Sequence, residues 1–142
     1  MARDETKEAY KPYIKQVLNN NGYSVDTWEV ENSEYFNISA SKPGGAKFSI
    51  FVRGSKQKRD PDGGFKILKN NEYTSAIAEA RKSNSTAKWL VIWDRTSEGL
   101  GHQVTFGDLK VLKDECPTTQ VRAKTDGNGN FKVRFEFQVT IP

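Results

Sequence analysis

Seven residues, Lys88 to Asp94 (KWLVIWD), constrain the fold of this chain more than any other stretch. Five large apolar side chains follow one another without the polar alternation that a half-exposed strand needs, so the run suits a strand covered on both faces. The residues before it supply a cover. Tyr73, Ala76, Ile77 and Ala80 fall at i, i+3, i+4 and i+7, the spacing of an amphipathic helix, with Asn70 or Asn71 as its cap and Ser83-Asn84-Ser85 near its end. Ahead of that helix lies another apolar strand, Lys47 to Gly54 (KFSIFVRG). Strand, helix, strand is the order of a crossover connection and predicts a parallel pair within an α/β or α+β sheet.

The remaining segments fit around this unit. Ala9, Tyr10, Tyr13, Ile14, Val17 and Leu18 form one helical stripe within residues 4–20, ended by Asn19 to Gly22, with a kink or broken turn expected at Pro12. Val25 to Val30 and Tyr35 to Ser41 read as strands, and Pro43-Gly44-Gly45 as a turn into the strand from Lys47. Phe65 to Leu68 is a short extended piece, Thr96 to Gly101 a glycine-containing loop, and Val104 to Leu112 fits a strand or a short helix. Val121 to Thr125 and Phe131 to Thr140 alternate polar and apolar around Asp126 to Asn130, which predicts a C-terminal β-hairpin. The fold class expected is α/β (α+β): one domain with a mixed central sheet flanked by helices.

At 142 residues the chain is long enough to bury one core, and its eight Phe, five Tyr and three Trp compensate for a hydrophobic content of 35%. Cys116 is the single cysteine, which excludes an intramolecular disulfide. No apolar run approaches the roughly 20 residues that span a bilayer, and MARDETKEAY is charged where a signal peptide is apolar. A soluble, cytoplasmic protein is expected.

The sequence FSIFVRG, then FKILKNNEYTSAIAEA, then KWLVIW, in the order helix, strand, strand, strand, helix, strand, resembles the core of the PD-(D/E)XK nuclease superfamily, the restriction-endonuclease-like fold. The resemblance covers roughly residues 4–94. It implies a Mg²⁺ site built from an aspartate on the second strand and an acid two residues before a lysine on the third, since phosphodiester hydrolysis uses a metal to activate water and offset charge. Those places hold Asn37, Phe51 and Arg53, so the chain is similar to a degenerate member in which no catalytic position is intact. No cofactor is expected. Mg²⁺ enters only under an alternative, an active endonuclease whose acids have moved to Glu8, Glu72 or Glu79, with Lys56 as the cation.

Other chemistry finds little support. A phosphate-binding loop, a dinucleotide glycine fingerprint and a CxxC pair are all missing from the sequence. His102 is the sole histidine and reads as a loop residue, Asp60 and Asp62 as a tight turn, and Asp114 and Glu115 oppose thiolate formation at Cys116.

The net charge of +4 is unevenly spread. Residues 53–69 carry six basic and two acidic side chains, the basic ones being Arg53, Lys56, Lys58, Arg59, Lys66 and Lys69. Residues 119–142 carry Arg122, Lys124, Lys132 and Arg134 against two acids. Clustered positive charge attracts polyanions, so the expected partner is nucleic acid, double-stranded DNA in the first instance, gripped through these ten residues. An acidic protein partner is the other class, for a phage-type or defence-type interaction module. A membrane is not expected.

Overall fold

The computed structural model describes residues 2–30, 35–55, 65–115, 120–123 and 131–142. Its centre is the pair that the sequence singles out. β3 (Lys47–Ser55) and β5 (Thr86–Asp94) run parallel in the register Phe51 opposite Trp89 and Arg53 opposite Val91, joined by α2 (Asn70–Lys82). β1 (Ser24–Val30) and β2 (Tyr35–Ser41) extend the sheet as an antiparallel meander on the outer side of β3. On the outer side of β5 lie β6 (His102–Asp108) and β8 (Phe137–Ile141), both antiparallel to their neighbours, giving the order β1-β2-β3-β5-β6-β8.

Alternation along β3 and β5 divides the core in two. Phe51, Trp89, Val91 and Trp93 face α2 and α3 (Leu109–Glu115), where Ile67, Leu68, Ala80, Leu109, Leu112 and Phe131 complete one apolar layer. Ile50, Val52, Leu90 and Ile92 face α1 (Ala2–Asn20), whose Tyr10, Ile14, Val17 and Leu18 are buried against them with Val104 and Phe106. Every residue of β5 from Trp89 to Asp94 is buried, as a strand covered on both faces requires. The mixed sheet flanked by helices thus agrees with the expectation from sequence. No helix among the described residues is long and apolar enough to cross a membrane.

Several local expectations are refined. α1 continues through Pro12 rather than breaking there, because Pro12 lies on the exposed side and its missing N–H does not disturb the buried stripe; Ala9 of that stripe is exposed. The cap of α2 is Lys69 rather than Asn70 or Asn71: the Lys69 N–H donates to Glu72 Oε1 at 2.8 Å, so a carboxylate three residues on satisfies the helix opening. The ambiguous stretch Val104 to Leu112 divides at Asp108. Its Oδ1 accepts the N–H groups of Lys110 and Val111, which ends β6 and starts α3.

Among the described residues the two arms of the expected C-terminal β-hairpin, β7 (Gln120–Ala123) and β8, do not pair with each other; the expected turn, Asp126 to Asn130, lies outside the described residues. β7 pairs antiparallel with β4 (Phe65–Lys69) as a separate two-stranded ribbon, while β8 joins the main sheet beside β6. Alternation marks both segments as strands but says nothing about partners, and each found a free edge with an apolar layer behind it. Of the alternating apolar residues ahead of β8, Phe131 is buried and Val133 half-buried, but Phe135 is exposed.

The seating of β8 also depends on Gly101, since a Cβ there would overlap the Ile141 carbonyl oxygen, a backbone atom that cannot rotate away. Gly101→Ala is expected to destabilise the fold by about 1–3 kcal/mol, read as a lower urea midpoint with an unchanged slope.

Candidate nucleic-acid interface

The two basic segments, more than fifty residues apart in sequence, meet in the β4–β7 ribbon. Lys66 stands opposite Arg122 and Lys69 opposite Gln120, with Phe65 opposite Ala123 at the far end. The ribbon twists at a register shift between Lys66 and Leu68. Ile67 and Leu68 anchor it to the α2 layer, and Lys69 is exposed. Lys56, Lys58, Arg59, Asp60 and Asp62, in the segment leading to β4, lie outside the described residues, as do Lys124 after β7 and Cys116. Lys132 and Arg134 are exposed on the chain approaching β8, with the Arg134 Nε donating to Glu115 Oε1 at 2.8 Å. That hydrogen bond holds the Glu115 carboxyl below its usual range against a small opposing effect of burial.

Arg53 does not belong to this surface. It is 8% exposed on the α2 side of β3, its guanidinium 3.6 Å from Glu72 Oε1 and over the Phe51 ring at 5.9 Å. A cation drawn inside by strand alternation needs a nearby carboxylate, and α2 supplies one from its first turn. Glu72 therefore serves two partners, the Lys69 N–H and Arg53. Glu79, further along α2, is exposed.

The three positions that the nuclease resemblance singles out do come together: Asn37 pairs with Phe51 across β2 and β3, and Arg53 follows two residues on along the same face. They do not fit a hard divalent cation. Phe51 is apolar and buried, Arg53 is a cation, Asn37 offers one neutral oxygen, and the Glu72 carboxylate lies 3.6 Å from Arg53. Among the described residues no group of three or more His, Cys, Asp or Glu could hold a metal ion.

A second polar cluster sits at the same carboxyl end of the parallel pair, on the α1 side. His102, expected in a loop, opens β6 opposite Asp94, the last residue of β5, and both are buried. Asp94 Oδ1 accepts from the Thr96 N–H (3.0 Å) and hydroxyl (2.6 Å); Oδ2 accepts from the Tyr10 hydroxyl (3.4 Å) and lies 3.7 Å from His102 Nε2. His102 Nδ1 is 3.2 Å from the Pro142 carbonyl, which can only accept, so the bond needs the proton on Nδ1. Tyr13 stacks on the imidazole at 4.3 Å. Burial first, then the Asp94 charge and hydrogen bond, push the Tyr10 phenol well above its usual range, so it stays a neutral donor. Gly54 admits this ring, since a Cβ there would come within 2.6 Å of Tyr10 Cε2. Sealed under two tyrosines, the cluster clamps α1, the β5–β6 turn and the end of β8 together.

A third cluster braces the opposite end of the sheet. Glu136 accepts from the Tyr23 hydroxyl at 2.6 Å and from Lys88 Nζ at 3.1 Å, and Lys42 lies over the Tyr23 ring at 4.4 Å. Burial alone would raise the Glu136 pKa, but the two hydrogen bonds and the Lys88 and Lys42 charges outweigh it and hold the carboxyl below its usual value. The shallow clefts nearby, each ≈ 220 Å³ and both touching Asp108, mix Arg81 and Lys110 or Lys88 and Arg134 with acids, so neither is a concentrated anion site.

Comparison of the chain with protein-family models, with curated proteins and with solved structures finds no match.

Two outcomes follow. Because the Glu136 pKa is depressed by folding, its stabilisation is present above the ordinary carboxylate pKa of 4.5 and is lost as pH falls below it; Glu136→Gln should flatten that acid limb in urea titrations across pH. Glu72→Ala, which removes the carboxylate 3.6 Å from the Arg53 guanidinium and the acceptor at the opening of α2, should lower stability by about 2–4 kcal/mol by the same measurement.

Proposed function

We propose that this chain is a nucleic-acid-binding domain with a restriction-endonuclease-like core and a degenerate catalytic site, and that it grips the backbone of double-stranded DNA through the β4–β7 ribbon. The observation that carries the reading is the pairing of Lys66 with Arg122, which unites two basic segments separate in the sequence. In the sequence Lys56, Lys58 and Arg59 precede β4, and Lys124 follows β7. A two-stranded ribbon is narrow enough to enter the major groove of a duplex, and lysine and arginine along it contact phosphates without reading sequence.

Support for the nuclease-like core comes from the meander β1-β2-β3, the crossover through α2 and the parallel placement of β5 beside β3. Phe51 and Arg53, where an acid and a lysine would stand, argue for binding without cutting. Arg53 is removed from the proposed contact set because Glu72 holds it inside. Lys132 and Arg134 are auxiliary, being exposed but outside the ribbon.

The test is fluorescence anisotropy of a labelled duplex over a salt series in Mg²⁺, with the recovered DNA run on a denaturing gel. Expected are intact DNA and an affinity that falls steeply with salt; Lys66→Glu with Arg122→Glu should weaken binding more than about tenfold and reduce the salt slope by about 2. Absence of binding at low salt would overturn the proposal in favour of an acidic protein partner. Cut DNA would turn it to the rearranged endonuclease.

A further inference from the structure

The two edges of the main sheet differ in a way that bears on self-association. β1 is defended: its register shifts between Val25 and Thr27, it carries Asp26 and Glu29, and Asp26 is exposed. Bulges and charges of this kind prevent another strand from pairing. β8 has none of them. Its residues, Phe137-Gln138-Val139-Thr140-Ile141, are uncharged and pair with β6 through five consecutive positions without a shift. Among the described residues no strand pairs with its outer side. Phe137, Val139 and Ile141 pack into the α1 layer, Gln138 accepts from the Thr105 hydroxyl, and Thr140 is exposed. Alternate residues of an edge strand direct backbone N–H and C=O groups away from the sheet, so β8 presents an unguarded ladder.

We propose that this edge pairs with β8 of a second copy of the chain, antiparallel across a two-fold axis, to make a continuous twelve-stranded sheet. Three observations select a second copy as the occupant. The neutral strand meets itself without like-charge repulsion, whereas β1 would oppose acid to acid. Among the described residues the two large apolar side chains that stand exposed, Phe135 (41%) and Leu100 (48%), mark opposite ends of this edge: Phe135 precedes β8, and Leu100 adjoins Gly101, which packs on the Ile141 carbonyl. Antiparallel pairing brings Phe135 of one copy to the end of the interface that holds Leu100 of the other, so one operation addresses both. Finally, because β1 is blocked, association closes at two copies and does not propagate into a fibre. Pairing over five residues with two apolar contacts falls among small interfaces, below about 1,200 Å², so the dimer is a weak one.

Sedimentation velocity of the full chain, without nucleic acid, from micromolar to near-millimolar concentration tests this independently of DNA binding. A concentration-dependent monomer–dimer equilibrium is expected. Thr140→Lys should raise its dissociation constant at least about tenfold, and Phe135→Ser should also raise it, while Thr27→Lys on β1 leaves it unchanged. Circular dichroism establishes that each variant is folded. A wild-type chain that stays monomeric throughout, a Thr140→Lys variant that dimerises as wild type, or a Thr27→Lys variant that dissociates would each overturn the proposal.

Discussion

The parallel pairing of β3 with β5 is the constraint from which the rest of the molecule follows. Parallel neighbours cannot be joined by a tight turn, so the chain must cross over one face, and α2 is that crossover. A single helix cannot cover both faces of a strand as apolar as β5. Trp89, Val91 and Trp93 therefore draw α2, α3 and the β4–β7 ribbon to one side, and Leu90 and Ile92 draw α1 to the other. Each buried side chain of this size contributes about 1.5–3 kcal/mol, so leaving either face open would forfeit much of the stability of a domain this small.

The same alternation that buries β5 also decides which charges can act. Phe51 and Arg53 share a face of β3, and that face is interior, so Arg53 lies beside Glu72 inside the domain. Lys66 and Lys69 belong to a separate two-stranded ribbon, whose Ile67 and Leu68 are buried and whose Lys69 is exposed. Two polar clusters stand at the strand ends. Asp94 and His102 are clamped with Tyr10 at one end, and Glu136 with Tyr23 and Lys88 at the other.

Much of the central unit was legible beforehand because its signals are local and strong. The spacing of Tyr73, Ala76, Ile77 and Ala80 marks α2, and the unbroken run from Trp89 to Trp93 marks a doubly covered strand. The C-terminal third was not legible in the same way. β7 and β8 both alternate correctly, yet their partners are β4 and β6, and nothing in a period of two distinguishes those pairings from a hairpin between neighbours. The clamp was missed for a related reason: His102 follows a glycine-containing turn and looks like loop. Reading KWLVIWD and HQVTFGD as an antiparallel pair around Thr96 to Gly101 would have set Asp94 opposite His102.

By itself, then, the sequence determined most of the helices and strands up to Asp94, that two strands run parallel around a crossover, and where positive charge accumulates along the chain. Those properties depend on residue type and on spacing over a few turns. Tertiary structure alone decided that Arg53 is interior and Lys66 stands opposite Arg122, that Asp94 and His102 are neighbours, and that β8 ends the strand order of the main sheet among the described residues. Each of these depends on which distant strand fills which edge, a choice made by packing apolar faces against one another and not written in any single segment.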